Sequence, residues 1–150
     1  IKIIDFDGNI KLISKDEIKF SYRKINLPKN YIILSAIFQG INSSKKIIEK
    51  KQNDLINLKK KSQPNRIKTG GSTFKNDKNK KAWALIKDSG CDKFSEGDAK
   101  ISEKHSNFFI NAGNATASDV ENLILKVRKE VKIKTGVNLE LEIKIIGYEK

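Results

Sequence analysis

The start of the chain alternates short apolar runs with turn signals, a pattern typical of β structure. Two apolar runs within residues 1–14 flank Asp7-Gly8, and an Asp-Gly pair in this setting is a strong signal for a two-residue hairpin turn. Residues 31–39 form a second β-rich run, which Gly40 ends. The pattern therefore predicts a hairpin over residues 1–14 and a strand over residues 31–39.

A helical spacing of apolar residues follows. The polar residues 42–44 offer N-caps, and the apolar positions up to about Lys61 share one roughly helical face, with Lys elsewhere. Residues 62–64, which include Pro64, stop this pattern. We expect a helix over residues 42–61 that connects two units of the chain.

The middle of the chain, residues 62–77, has no clear apolar period. It is predicted to be a loop centred on the glycine-containing segment 69–76. A short helix with apolar residues at 82–86 is expected next, with Gly90 as its stop. Residues 107–112 are predicted to form a strand.

A longer helix is predicted in the last third of the chain. Ser118 and Glu121 match a capping box, and Gly136 is expected to end the helix. Its apolar residues recur at i, i+4, i+7 and i+11, the spacing of one helix face: Val120, Ile124, Val127 and Val131.

Residues 139–146 alternate between apolar and charged side chains. This alternation predicts a strand with Glu142 and Lys144 on the same face. Because strands and helices interleave without long βαβ spacing, the fold class is predicted to be α+β.

The charge of the chain is strongly positive and locally concentrated. The 150 residues include 31 basic and 18 acidic side chains, a net charge of +13, and 28 of the basic residues are Lys. Residues 43–81 hold 13 basic and 3 acidic side chains, which is +10 of that total. This region is compatible with a solvated Lys-rich helix, a patch beside a small anionic substrate, or a nucleic-acid surface. Proteins that bind the bases and phosphates of nucleic acids favour Arg, so the small number of Arg residues counts against a nucleic-acid surface.

Composition also excludes several kinds of protein. One Cys and one His cannot form a disulfide framework or a four-ligand zinc site. No apolar run exceeds five residues, whereas a membrane-spanning helix needs ~20. The sequence has no signal peptide and no Met, even at position 1, so we expect these residues to be the tail of a longer protein.

The first candidate site is the segment around Gly70-Gly71. Two glycines allow positive φ or close approach to a ligand, and a hydroxyl, an ammonium and an amide follow within five residues: Ser72, Lys75 and Asn76. These groups can donate hydrogen bonds to an anion. The segment matches neither a P-loop nor a nucleophile elbow, so by pattern alone a plain turn is the simpler interpretation.

The second candidate is the pair Glu142 and Lys144. A carboxylic acid beside a cation can handle a proton or stabilise developing negative charge. An ordinary solvated strand face explains the same pattern. His105 and Cys91 are single residues of their type, and neither defines a catalytic triad or a metal site from the sequence.

Longer motifs extend in order across nearly the whole chain. They are Phe20–Arg23, Gln63-Pro64, Gly71–Asn76, Gly97–Phe108, Asn111–Val120 and Gly136–Gly147. With these motifs at compatible spacing, the chain resembles the C-terminal half of the UDP-N-acetylenolpyruvoylglucosamine reductases, flavoenzymes of bacterial peptidoglycan synthesis.

The resemblance implies a domain organisation. Two domains of this family bind FAD, and a third closes over the substrate. Residues 1–41 would be the C-terminal end of the second FAD-binding α+β domain. Residues 42–150 would be a smaller α+β substrate-binding domain, with an antiparallel sheet, flanking helices and residues 42–61 as the connector helix. The glycine-rich segments that bind FAD would lie upstream.

The resemblance also implies an activity. The enzyme would be an FAD-dependent oxidoreductase that uses NADPH to reduce the enolpyruvyl ether of UDP-N-acetylglucosamine-enolpyruvate, giving UDP-N-acetylmuramate. This cytoplasmic step of cell-wall biogenesis supports cell shape and division. The implied partner is a UDP-sugar, with no specific nucleic acid and no membrane.

Roles for individual residues follow from the same resemblance. Ser72 would donate a proton to the substrate carbon, Glu142 would be the acid that stabilises the enol form, and Gly71 would let the Ser72 loop approach the flavin. Substrate contacts are implied for Tyr22, Asn76, His105 and Lys144. Lys144 falls where the family commonly has Arg, so the positive charge is kept but the planar guanidinium, which can form two parallel hydrogen bonds, is not.

Three departures from the family pattern concern loop geometry. Asp77 stands where Pro is usual, Ile25 where Ser is usual and Ser106 where Ala is common. Two rival interpretations remain at this point: a basic nucleic-acid-binding module, supported by the charge of residues 43–81, and a catalytically silent interaction domain.

Overall fold

The structure is a computed structural model and describes residues 1–77 and 80–147. It divides into two compact units, Ile1–Lys45 and Lys46–Lys150. Antiparallel strands occur in both units, and the described residues contain three helices. The predicted α+β class is therefore confirmed.

The first unit is built from five short strands. They are β1 (Lys2–Asp5), β2 (Ile10–Leu12), β3 (Phe20–Ser21), β4 (Lys24–Ile25) and β5 (Tyr31–Ser35). Strand β1 lies between β2 and β5 and is antiparallel to both, whereas β3 and β4 form a separate hairpin. The strand predicted over residues 31–39 is present but ends at Ser35.

The hairpin predicted at the start of the chain is present as β1 and β2. Its turn is longer than the two residues that Asp7-Gly8 predicted, because the N–H of Asp5 donates to the carbonyl oxygen of Asn9 (3.0 Å) and three residues lie beyond this bond. Gly8 supplies the turn with a φ of 88°.

The second unit combines helices with a four-stranded sheet. Its elements, with the first helix beginning at the unit boundary, are α1 (Lys45–Ser62), β6 (Lys68–Ser72), α2 (Ala82–Asp88), β7 (Ser95–Glu96), β8 (Ala99–Ser102), β9 (His105–Asn111) and α3 (Ala117–Thr135). The sheet is antiparallel in the order β6-β9-β8-β7. The helix predicted over residues 42–61 is present as α1, and none of its residues is buried.

The core of the second unit lies between the sheet and helices α2 and α3. Phe109 of β9 meets Phe74 edge to face, with ring centroids 5.8 Å apart. Helix α3 contributes four buried residues: Leu123, Ile124, Val127 and Val131. Three of these match the predicted stripe, and its fourth member, Val120, is half-buried at the edge of the core.

Helix α3 starts two residues before the predicted capping box. The hydroxyl of Thr116 accepts a hydrogen bond from the N–H of Asp119 (3.1 Å), and the carboxylate of Asp119 accepts one from the N–H of Thr116 (2.8 Å). The box predicted at Ser118 and Glu121 is therefore wrong, because T-x-x-D lies first along the chain and begins the helix earlier. Gly136 ends the helix in the left-handed region, as predicted.

The segment predicted as a loop over residues 62–77 contains strand β6. Strand β6 lies at one edge of the sheet and has no apolar period, because two of its five residues are glycines and none is a large apolar residue. Side-chain periodicity gives no signal for such a strand.

The strand predicted over residues 139–146 is also wrong. The segment is irregular and has one isolated bridge, between Phe74 and Leu141. Leu139 is buried and the half-buried Leu141 and Ile143 pack against the core, but Ile145 is exposed, so the predicted apolar face is covered only over residues 139–143. No helix in the part of the chain that the structure describes is long and apolar enough to span a membrane.

Candidate active site

The serine segment (residues 72–76) begins where β6 ends. The pairing of β6 with β9 shifts register after Thr69 and resumes at Ser72, which lies opposite Phe108. Gly71 lies in this shift with a φ of 87°, a backbone angle that residues with a Cβ atom rarely adopt. Gly71 therefore allows the backbone irregularity that precedes the half-buried Ser72.

The acidic segment (residues 140–142) runs antiparallel to the serine segment. The N–H of Glu142 donates to the carbonyl oxygen of Thr73 (2.9 Å), and the N–H of Lys75 donates to that of Glu140 (2.8 Å). These bonds place Glu142 beside the residue that follows Ser72. The two residues predicted to be catalytic are 142 − 72 = 70 positions apart in the sequence, and the fold brings them onto adjacent segments.

Glu142 and Lys144 have different environments. Glu142 is half-buried and its Oε2 atom is buried, whereas Lys144 is exposed. The backbone bends at Glu142 and Ile143, so the common strand face predicted for Glu142 and Lys144 is wrong. The Glu142 carboxyl is therefore shielded from water to an extent that the alternation did not indicate.

An ion pair links the two segments at the surface. Lys75 Nζ lies 3.3 Å from Glu140 Oε2. The Glu140 side chain is largely exposed, so the pair contributes at most about 1 kcal/mol to stability. The backbone bonds between the segments are therefore the main constraint on their alignment.

Asn76 connects the serine segment to helix α2. Its Oδ1 atom accepts a hydrogen bond from the N–H of Ala82, the first residue of α2 (3.0 Å). Asn76 is half-buried. The predicted substrate-contacting amide thus also fixes the end of the serine segment.

His105 begins strand β9 and lies between two aromatic rings. Its ring centroid is 6.5 Å from that of Trp83 and 4.8 Å from that of Phe108. His105 Nδ1 accepts a hydrogen bond from the N–H of Asn107 (3.2 Å), which leaves the proton of the neutral ring on Nε2. Burial lowers the pKa of His105 below its ordinary value, which favours this neutral form.

A cavity of about 850 Å³ adjoins His105. It lies among the end of α1, helix α2, strands β7 and β8, and the turn before β9. Its rings belong to Trp83, Phe94 and His105, its cations to Lys87, Lys93, Lys100 and Lys104, and its carboxylates to Asp92 and Glu103. The excess of cations and the rings suit an anionic ligand that carries a flat ring. Ser72, Asn76 and Glu142 do not line this cavity.

The lysines of this cavity have no signature in the sequence. Residues 87–104 hold four basic and five acidic side chains, a net charge of −1, so local charge gives no signal there. The concentration of charge in residues 43–81 pointed to a different part of the chain. These four lysines come together around one cavity only when the sheet and α2 are folded.

Tyr22 lies in the first unit, in the two-residue turn between β3 and β4. The guanidinium carbon of Arg23 is 5.5 Å from the centre of the Tyr22 ring, which is a cation–π arrangement. Arg23 has a positive φ of 57°, so the turn is held in a conformation that few residues adopt. The position of Tyr22 is thereby defined within its own hairpin.

A family model decides the relationship of this chain to known proteins. The model described as UDP-N-acetylenolpyruvoylglucosamine reductase, C-terminal domain, matches residues 63–146. The chain belongs to this family. The match covers the serine segment, His105 and the acidic segment, and it confirms the resemblance drawn from the motifs.

Relatives and a solved structure agree with this assignment. The chain is 48% identical over 141 residues to the UDP-N-acetylenolpyruvoylglucosamine reductase of Wolbachia pipientis wMel, covering 94% of this chain and 48% of the relative. It is 45% identical over 147 residues to that of Rickettsia conorii, covering 98% of this chain and 50% of the relative.

The crystal structure of UDP-N-acetylenolpyruvylglucosamine reductase (MurB) from Thermus caldophilus matches with a TM-score of 0.82 at 32% identity. The alignment covers 95% of this chain and 50% of that one. The chain therefore spans about half the length of the reductases it matches, and its fold is that of the corresponding half.

Proposed function

We propose that this chain is the C-terminal part of a flavin-dependent UDP-N-acetylenolpyruvoylglucosamine reductase. The reaction is the reduction of the enolpyruvyl ether of UDP-N-acetylglucosamine-enolpyruvate to UDP-N-acetylmuramate, with NADPH as reductant, in cytoplasmic peptidoglycan synthesis. The observation that carries this proposal is the alignment of Ser72 and Glu142 on adjacent segments of a chain that belongs to the family.

The domain assignment is part of the proposal. Residues 1–41 end the second FAD-binding domain, and residues 42–150 form the substrate-binding domain. The division of the structure after Lys45 supports a boundary in this region. Since the chain spans about half the length of its relatives, we propose that the other half of the reductase supplies the glycine-rich FAD-binding segments.

Residues near Ser72 fit one side of a flavin site. Apart from Gly71 and its two chain neighbours, no heavy atom of residues 1–77 and 80–147 lies within 4 Å of the position that a Cβ atom on Gly71 would take, so the backbone before Ser72 is open on that side. Bound FAD, once reduced by NADPH, would supply the hydride. Ser72 and Glu142 act on the substrate side of that transfer.

Ser72 donates the proton that completes the reduction. Hydride addition to the vinyl carbon leaves negative charge on the neighbouring carbon and its carboxylate, and protonation of that carbon removes the charge. A serine hydroxyl is a weak acid, so it must be held close to a strongly basic carbon. Its half-buried position, directly after the Gly71 irregularity and directly before the residue that bonds to Glu142, supports this role.

Glu142 stabilises the enol form of the substrate, and Lys144 faces its negative charge. The buried Oε2 atom of Glu142 is in a site of low dielectric constant, where a hydrogen bond to an enol oxygen is stronger than in water. The exposed ammonium of Lys144 keeps the mobility to approach a bound carboxylate.

The UDP group is held by the predicted substrate contacts. The neutral ring of His105, with its proton on Nε2, lines a basic cavity that also contains aromatic rings, and such a cavity suits a diphosphate joined to a uracil ring. Substrate contacts are also proposed for Asn76 and, in the first unit, for Tyr22.

The test uses the complete reductase, meaning this chain together with its FAD-binding half. Ser72→Ala should leave NADPH-driven bleaching of the flavin nearly unchanged, because that step needs no proton donor beside the vinyl ether. Reoxidation by substrate should slow by at least ~10²-fold, the low end for a lost general acid. Ser118→Ala, an exposed serine of α3, is the matched control. Stopped-flow absorbance separates the two steps, and wild-type reoxidation in Ser72→Ala would remove Ser72 from the mechanism.

The nucleic-acid alternative is not favoured by the family assignment. The lysines of α1 are exposed and suit weak steering of an anionic nucleotide-sugar. A gel shift at physiological salt discriminates, since a complex below ~1 µM is much tighter than ordinary non-specific binding.

A further inference from the structure

Asn107 is a buried amide in strand β9 that lies against the serine segment. Its side chain is not used by any role assigned above, and the residue is only 4% exposed. The carbonyl oxygen of Asn107 accepts a hydrogen bond from the N–H of Thr73 (2.8 Å), which extends the pairing of β6 and β9 by one residue past Ser72.

The Asn107 side chain then replaces the next backbone pair. Its Oδ1 atom accepts a hydrogen bond from the N–H of Phe74 (2.9 Å), and its Nδ2 atom donates to the carbonyl oxygen of Phe74 (2.8 Å). One amide thus satisfies both backbone groups of a residue that is 1% exposed. Only a side chain with an acceptor and a donor at this spacing can do so.

The opposite edge of the serine segment is bonded to the acidic segment. Thr73 accepts from Glu142 and Lys75 donates to Glu140, as described above. The residues between Ser72 and Asn76 are therefore held from both sides, by Asn107 on one and by the acidic segment on the other. A shift of the Phe74 backbone would move Ser72 and Glu142 relative to each other.

We propose that Asn107 is a positioning residue that aligns Ser72 with Glu142 through the Phe74 backbone. The inference rests on the proposed function, because the consequence of misalignment is a slower proton transfer from Ser72. Misplacement of a reacting group by about 1 Å can cost ~10²-fold in rate.

The test compares Asn107→Asp and Asn107→Leu in the complete reductase. Asn107→Asp keeps the acceptor but loses the donor, and Asn107→Leu has a similar volume without charge or hydrogen bonds. Both should slow reoxidation by substrate by ~10- to 10²-fold while NADPH-driven bleaching stays within ~2-fold of wild type. Asn111→Asp is the matched control, because this amide on the same strand bonds Gly113 and Ala115 instead.

Two further measurements separate positioning from a general loss of structure. Hydrogen exchange read by mass spectrometry should become faster in peptides covering residues 72–77 for both Asn107 variants, and it should not change there for Asn111→Asp. In a Ser72→Ala background, the Asn107 variants should slow reoxidation little further, because the step they align is already lost.

The outcomes are distinguishable. Wild-type reoxidation in Ser72→Ala alone would overturn the proposed function. A normal Ser72 effect combined with wild-type rates in both Asn107 variants would overturn the inference alone. Loss of the native near-ultraviolet circular dichroism in both Asn107 variants, or effects fully additive with Ser72→Ala, would assign Asn107 a structural role and also overturn the inference.

Discussion

The two units of the chain differ in how their apolar residues are used. In the first unit the buried apolar residues are Ile3 and Ile13, while most of its other large apolar side chains are exposed. In the second unit, residues of the sheet, α2 and α3 form one contiguous buried cluster. The strands of the first unit are therefore defined by backbone ladders and turns, whereas those of the second are also fixed by a core.

This difference separates the specification of a strand pairing from the stability of the sheet that contains it. A turn signal and two apolar runs suffice to specify a hairpin such as β1 and β2, even when most of its side chains remain exposed. Independent stability of a small sheet requires burial of an apolar face. Single substitutions should therefore have large effects in the second unit and small effects in the first.

A matched pair of phenylalanines gives the largest expected contrast. Phe74 is 1% exposed and packs on Phe109, whereas Phe38 is 89% exposed. Phe74→Ala should lower the free energy of unfolding by about 3–5 kcal/mol, because it leaves a cavity in the core. Phe38→Ala should change it by no more than about 0.5 kcal/mol. Urea unfolding followed by circular dichroism measures both changes in the free energy of unfolding. Equal losses for the two variants would show that the exposure of a side chain in the first unit does not predict its contribution to stability.

The start of helix α3 provides a smaller contrast within the second unit. Thr116→Ala removes an N-cap hydroxyl and should lower the free energy of unfolding by about 1 kcal/mol. Ser118→Ala should be nearly neutral, because Ser118 is exposed in the first turn and Ala favours helix. Urea titration of both variants measures the difference. A larger loss for Ser118→Ala would restore the capping box that the sequence alone suggested.

Helix predictions succeeded because their signals are local. The apolar stripe of α3 and the glycine at its C-terminus specify the helix within about 20 residues of sequence. The capping box was misplaced because two similar motifs lie two residues apart, and only the backbone conformation selects Thr116. The resemblance to the reductase family likewise depends on ordered motifs that can be read directly from the sequence.

The arrangement of the candidate site was less predictable because it depends on contacts across the fold. Strand β6 has no side-chain period, and the alternation of residues 139–146 does not form a strand. The adjacency of Ser72 and Glu142 comes from backbone bonds between distant segments. The role of Asn107 could not be seen in a single sequence, since its amide replaces a backbone pair that exists only after β9 and the serine segment meet.

The smallest contrast concerns the pH dependence of stability in the second unit. Burial lowers the pKa of His105 below the ordinary 6.5, so between the lowered value and 6.5 the unfolded chain binds more protons than the folded one. The free energy of unfolding should therefore decrease as the pH falls through this window, and His105 should add no further change below its folded pKa.

His105 is the single histidine of the chain, so His105→Gln should flatten this part of the profile. The pKa values of the Asp5, Glu17 and Asp119 carboxyl groups are lowered from ordinary values of 3.8 for Asp and 4.5 for Glu, so these groups titrate below the pH range that is measured. Urea unfolding of both proteins between pH 5.5 and 7.5, a range of about one unit either side of an ordinary histidine pKa, measures the difference. A wild-type protein that becomes more stable as the pH falls, with that slope lost in His105→Gln, would mean that His105 is held as the imidazolium. In that case the neutral Nε2–H donor proposed for the substrate would be wrong.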